Sequence, residues 1–268
     1  MNKTVSIIMC LAILPGCVSW EIPMTPGDVK SAQNYGYHPI DPIPIELNIA
    51  DSRLPVSNAH LLNALPDETM RLAIGQFDGK TGLTFGVAAT GIKGNQYVVI
   101  LDYIKFNTNS LPVILEKENA NIKANITPNA PEPDALVPTY IGVGLRLTAN
   151  ILVTEGSVDL GNLFALGAAA EAKKISGSLV IQTLGVSGEN VSSVIPMPSE
   201  INTSTIQNAI LALGTIKAKM YANDTKITPR VVGVYNNLGG GAETINGFIS
   251  SMLLKPRSID INNAVAVN

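Results

Sequence analysis

Two cysteines, Cys10 and Cys17, are all that the 268 residues carry. Both lie at the extreme amino end. From Val18 onward no thiol exists to close a disulfide, hold a metal cluster or act as a nucleophile. Histidine is equally scarce: His38 and His60 are the only two, and the helical His pair that many metal sites use is absent. Lys and Arg number 18 against 21 Asp and Glu, with no basic block. That balance excludes the electrostatic footprint of a nucleic-acid binder and of a polybasic membrane patch. Aromatic residues make up 5% of the chain, too few to girdle a single-chain membrane barrel. Beyond the first residues no uninterrupted apolar run approaches the roughly 18 residues of a spanning helix.

The amino end itself is apolar and organised. Lys3 is followed by an apolar stretch from Val5 to Leu14, then by Leu14-Pro15-Gly16-Cys17. A positive charge, a short apolar run and a small residue form the three-part layout of a secretory signal. Met9 is too bulky for the cut to fall before Cys10. The segment ending at Cys17 resembles the lipobox of bacterial lipoproteins, over residues 1–17 only. The resemblance implies a diacylglycerol on the Cys17 thiol, cleavage just before it and a fatty acid such as palmitate on the new amino terminus. Several acyl chains together anchor stably, at about 0.8 kcal/mol per buried methylene. Val18 stands where Asp would favour retention at the inner membrane, so the resemblance implies an outer-membrane address, with either face of that membrane open. Losing residues 1–16 removes only Lys3, which takes the formal net charge from −3 to −4.

Residues 17–57 read as a lipidated tether. Pro23, Pro26, Pro39, Pro42, Pro44 and Pro55 recur along it, removing backbone donors and favouring extended conformation. Ile40, Ile43, Ile45, Leu47 and Ile49 exceed what a free linker needs, so part of the segment is expected to lie against the folded domain or a neighbour.

Residues 58–268 are expected to form one α+β domain, a mostly antiparallel sheet with about three helices concentrated in the C-terminal half. Met70–Phe77, the turn signal Asp78-Gly79 and Leu83–Ala89 read as a hairpin. Tyr97, Val99, Leu101 and Tyr103 line one face of a third strand whose other face is also apolar. Ile122, Ala124 and Ile126 mark a fourth, and Pro128, Pro131, Pro133 and Pro138 an exposed loop. Tyr140–Glu155 alternates most cleanly: Ile141 to Val153 on one face, Gly142, Gly144, Arg146, Thr148 and Asn150 on the other. Asp159 is a candidate cap for a helix through Ala172. Ile175–Val186 reads as a strand. Ser204 and Gln207 suggest a capping box for a helix ending near Gly214. Ile216–Met220 then reads as a strand pairing with Val231–Tyr235. Gly239-Gly240-Gly241 opens a last helix, Ala242–Leu254.

Candidate chemistry is thin. His38, Asp41 and His60 have no ligand spacing, so no metal is expected; His38 reads as a loop residue and His60 as a helix-surface residue. Ser57 lies near His60, yet no nucleophile-elbow sequence occurs. Glu116 and Glu118 read as a solvated strand end. The triple glycine lacks the Lys-Ser/Thr of a phosphate loop. No catalytic residue, cofactor or metal is therefore expected, and the chain reads as a non-enzymatic outer-membrane lipoprotein. It would act by contact with envelope proteins or further copies of itself, without nucleic acid. Two other classes stay open: a ring-forming secretion or pore subunit giving strands such as Tyr140–Glu155 to a shared barrel, and a periplasmic hydrolase or ligand-binding lipoprotein. Changing Cys17→Ser is expected to abolish incorporation of labelled fatty acid and release the protein from membranes. A variant that stays membrane-bound and labelled contradicts the lipobox reading.

Overall fold

The computed structural model describes residues 36–48, 57–78, 82–86, 95–118, 121–127, 131–239, 242–254 and 257–260. In chain order the elements are β1 (Gly36–Asn48), α1 (Asn58–Asn63), β2 (Asp67–Asp78), β3 (Gly82–Phe85), β4 (Gln96–Glu118) and β5 (Asn121–Ile126). There follow β6 (Ala135–Val153), α2 (Leu163–Glu171), β7 (Ile175–Leu184), β8 (Val186–Ser187), α3 (Glu189–Ser192) and β9 (Ser199–Glu200). The last are α4 (Thr203–Lys219), β10 (Lys226–Ile227), β11 (Arg230–Asn236), α5 (Ala242–Leu254) and β12 (Arg257–Asp260). The class is α+β, as the patterning predicts. Its helices are not confined to the C-terminal half, since α1 precedes β2, and five are present among the described residues rather than about three.

The spine is the antiparallel ribbon of β4 and β6, in continuous register from Gln96↔Leu152 to Val113↔Ala135. Both strands outrun any single neighbour, so each edge is shared. β4 takes β2 along Gln76↔Tyr97 to Asp67↔Phe106 and β5 along its far end. β6 takes β7 from Gly144 to Val153 and β11 from Thr139 to Gly142. β1 adds antiparallel to β11, and β12 adds parallel to β1. The path runs β12-β1-β11-β6-β4-β2-β3.

The period-two pattern sorts the two faces. Ile141, Val143, Leu145, Leu147, Ala149, Ile151 and Val153 share one buried cluster with Leu166 of α2 and Ile206, Ala209, Leu213 and Ile216 of α4. The helices therefore cover the aliphatic face. On the opposite face the sheet curls over itself. Ile104, Phe106, Tyr140, Leu184 and Val232 form one cluster there, and Ala73, Phe85, Val98 and Ile100 another, with Tyr37 packed against both. Gly144 belongs to this closely packed region: a Cβ on it would lie 1.9 Å from the carbonyl oxygen of Tyr103, so only glycine fits.

Several expectations give way here. Residues 36–48, expected within the tether, form strand β1 of the sheet: Ile40 and Ile43 are core residues, and the register shifts between Pro39 and Ile43. Residues 216–220 are not a strand. Ile206, Ala209, Leu213, Ile216 and Met220 recur at three and four, all buried, so the stripe carries the helix through Gly214, which has open space beside it. β11 consequently pairs with β1 and β6 instead. The caps also move. Asn162 accepts from the amides of Phe164 and Ala165, while Asp159 closes the preceding turn through Gly161 N–H. Asn202 and Thr205 form the capping box of α4. Pro138 lies within β6, opposite Ser110, rather than in a loop. Asp78 closes β2 opposite Gly82, while Gly79 of the turn signal and the return strand beyond Gly86 fall outside the described residues.

Lys173, just past α2, has φ 59°, the left-handed region that costs a side-chain-bearing residue about 1–2 kcal/mol. It closes the helix by donating its amide to Ala170, while Lys174 donates to Ala169. Lys173→Gly is expected to stabilise the protein by about 1 kcal/mol in urea unfolding, since it removes this cost; an unchanged or lowered midpoint contradicts the assignment.

Candidate functional site

Among the described residues, the one buried charged pair is Asp102 of β4 and Arg146 of β6, cross-strand partners in the ribbon. Asp102 is wholly buried and Arg146 is 4% exposed. Arg146 donates Nε to Asp102 Oδ1 at 2.8 Å and an Nη to Oδ2 at 2.6 Å, the planar fork that matches a carboxylate. Its remaining donors reach the carbonyl oxygens of Ile40 in β1 and Val232 in β11. Tyr37 of β1 donates its hydroxyl to Asp102 at 2.5 Å. Four strands thus converge on one guanidinium and one carboxylate. Burial opposes the charge on Arg146, but hydrogen bonding and attraction from Asp102 outweigh it and hold its pKa above the ordinary arginine value. Burial, then the Asp102 charge, pushes the Tyr37 phenol well above its usual range, so it acts here as a donor.

Around this pair lies a polar and aromatic surround. Tyr140 stacks edge-on to Phe106 at 5.1 Å and lies 5.7 Å from Tyr37. The Arg71 guanidinium of β2 sits 5.6 Å above the Tyr140 ring. His38 meets Phe85 of β3 edge-on at 4.9 Å, so it is a strand residue turned into the fold, not the loop residue the sequence suggests.

The sequence candidates do not come together. Cys17 and the whole lipobox lie outside the described residues, as do Gly240 and Gly241. His60 is the third residue of α1, where its Nδ1 stands 3.0 Å from Ser57 Oγ and its amide bonds the same oxygen. That is a helix cap, and it accounts for the Ser57–His60 proximity without a catalytic role. Glu116 accepts from Asn125 across the β4–β5 pair. No group of three His, Cys, Asp or Glu side chains able to hold a metal occurs among the described residues.

No family model matches the chain, and no curated protein or solved structure matches it. The chemistry of its own residues is what the chain offers.

A second feature lies on the helical layer. Phe164 of α2, Leu211 of α4 and Met197 before β9 are 55%, 70% and 83% exposed. Large apolar side chains left in water on the covering layer suit contact with another surface. The sequence alone marks α2 for its small residues, but Gly167 is inward, where a Cβ would lie 2.8 Å from Thr203 Cα of α4. Ala168 is outward.

His38 generates a pH dependence. Burial first, and the nearby Arg146 charge second, lower its pKa from 6.5 to about 4. The folded state therefore holds it neutral where the unfolded chain binds a proton, so stability rises with pH between about 4 and 6.5 and is lost as pH falls through that window. The shift corresponds to up to about 3 kcal/mol. His38→Phe is expected to flatten this part of the unfolding free-energy profile; an unchanged slope contradicts the buried neutral imidazole.

Proposed function

We propose that the protein is a lipid-anchored component of the outer membrane that works by protein–protein contact rather than by catalysis. The observation that carries this reading is the pairing of an amino-terminal lipobox-like segment with a covering helical layer that leaves Phe164, Leu211 and Met197 in water. The buried charges of the sheet support it from the other side. Asp102 and Arg146 spend their hydrogen bonds on each other and on the strands around them, which is what a structural junction needs. In this reading the Cys17 lipid holds the chain at the membrane, residues 18–35 lead to the domain, and α2 and α4 meet an envelope partner or a second copy.

The shared-barrel alternative asks β6 to turn its aliphatic face to lipid. That face packs against α2 and α4, and Arg146 on the other face is tied to β1 and β11, so such a role requires the strand to leave both. We therefore favour contact through the helical layer.

Particle size in mild detergent tests this. Ala168→Glu places a charge on the outward side of α2 without disturbing Gly167, and is expected to dissociate the wild-type assembly while leaving the circular-dichroism spectrum intact. A wild type that runs as a monomer and retains no partner contradicts the proposal.

A further inference from the structure

Arg71 and Arg146 have the same cross-strand neighbour, Asp102, on the curled face. Arg71 stands directly across from Asp102 in the β2–β4 register, the position where a cross-strand ion pair would form. Asp102 is already engaged: both of its oxygens accept from Arg146, and one also accepts from Tyr37. Arg71 is left above the Tyr140 ring, its Nε buried and without a hydrogen-bond partner. No carboxylate among the described residues pairs with it. A buried donor on a charged group, left unmade, costs more than a neutral one, so its retention points to an acceptor supplied from outside.

The neighbours are donors too. Tyr140 and Tyr235 share the aromatic cluster with Phe106, and neither phenol makes a hydrogen bond with the described residues. Burial raises the pKa of Tyr140, which keeps its proton available for donation.

We propose that Arg71, Tyr140 and Tyr235 form a binding site for a small anion, a carboxylate or phosphate group carried on a small organic molecule. The guanidinium supplies the charge and a planar pair of donors. The Tyr140 ring holds the guanidinium in place from below and excludes water from one side. The phenols supply directional donors that a chloride ion cannot use as fully as an oxyanion does. This site does not depend on how the protein is anchored or on what meets its helices.

The test uses the full-length protein in detergent with arginine side chains labelled for NMR. The Arg71 Nε–H resonance, assigned by its loss in Arg71→Lys, is followed during titration with inorganic phosphate and, separately, with acetate, against chloride at matched ionic strength. A saturable shift with either oxyanion and not with chloride is expected, and the oxyanion that saturates at the lower concentration identifies the source as phosphate or carboxylate. Tyr235→Phe, which removes one hydroxyl and keeps the ring, is expected to weaken the response by about tenfold. A response to both oxyanions no different from that to chloride overturns the proposal, as does unchanged affinity in Tyr235→Phe.

Discussion

Beyond the backbone ladders, the Asp102–Arg146 pair ties four strands of the sheet together at one point. Burying two charges is costly, and the pair returns that cost only because each of the three guanidinium nitrogens of Arg146 finds an acceptor. The consequence is geometric. The fork fixes β4 against β6, and the two carbonyl contacts then bring β1 and β11 over that ribbon at one point. A hydrophobic substitute for the pair would fill the same space but would not tell β1 where to stop along the curl. We regard specificity of strand placement as the pair's main effect, and stability as secondary.

β1 is also the first strand among the described residues. In the anchored protein proposed here, any pull between membrane and domain enters through β1. Its antiparallel ladder with β11 is interrupted between Pro39 and Ile43, and the Ile40 carbonyl that Arg146 holds lies in that interruption. The clamp thus reinforces the strand where its own ladder is weakest. Tyr37 adds a second attachment three residues earlier, and His38 a neutral packing contact beside it.

Sequence legibility follows the range of the interactions concerned. The alternation of Tyr97–Tyr103 and of Ile141–Val153 is a local signal, and both strands stand where it puts them. Their true lengths were not legible, because Pro112 and Pro138 sit in the ribbon by virtue of pairing partners distant in sequence. The Ile216–Met220 segment carried two periods at once: alternation with Lys217 and Lys219, and a three-and-four spacing continuous with Leu213. Contact with the core decides for the helix, with Ile216 and Met220 both fully buried. The polar centre was missed, although a signal existed. Arg146 is the one charge on β6, and Asp102 is the one charge in the Tyr97–Ile104 stretch that is apolar on both faces, so the two are candidates for mutual pairing. Tyr37 gave no such signal, since its role depends on the curl of the sheet.

The most direct test of the clamp is native-state hydrogen exchange in wild type and Arg146→Lys. Lysine keeps the charge but lacks the fork that meets Asp102, Ile40 and Val232 together. The account predicts that amides of β1 and β11 lose protection selectively, opening well below the global unfolding free energy, while the β4–β6 ribbon exchanges through global unfolding. Protection that falls equally throughout the sheet, or that leaves β1 unaffected, would contradict it.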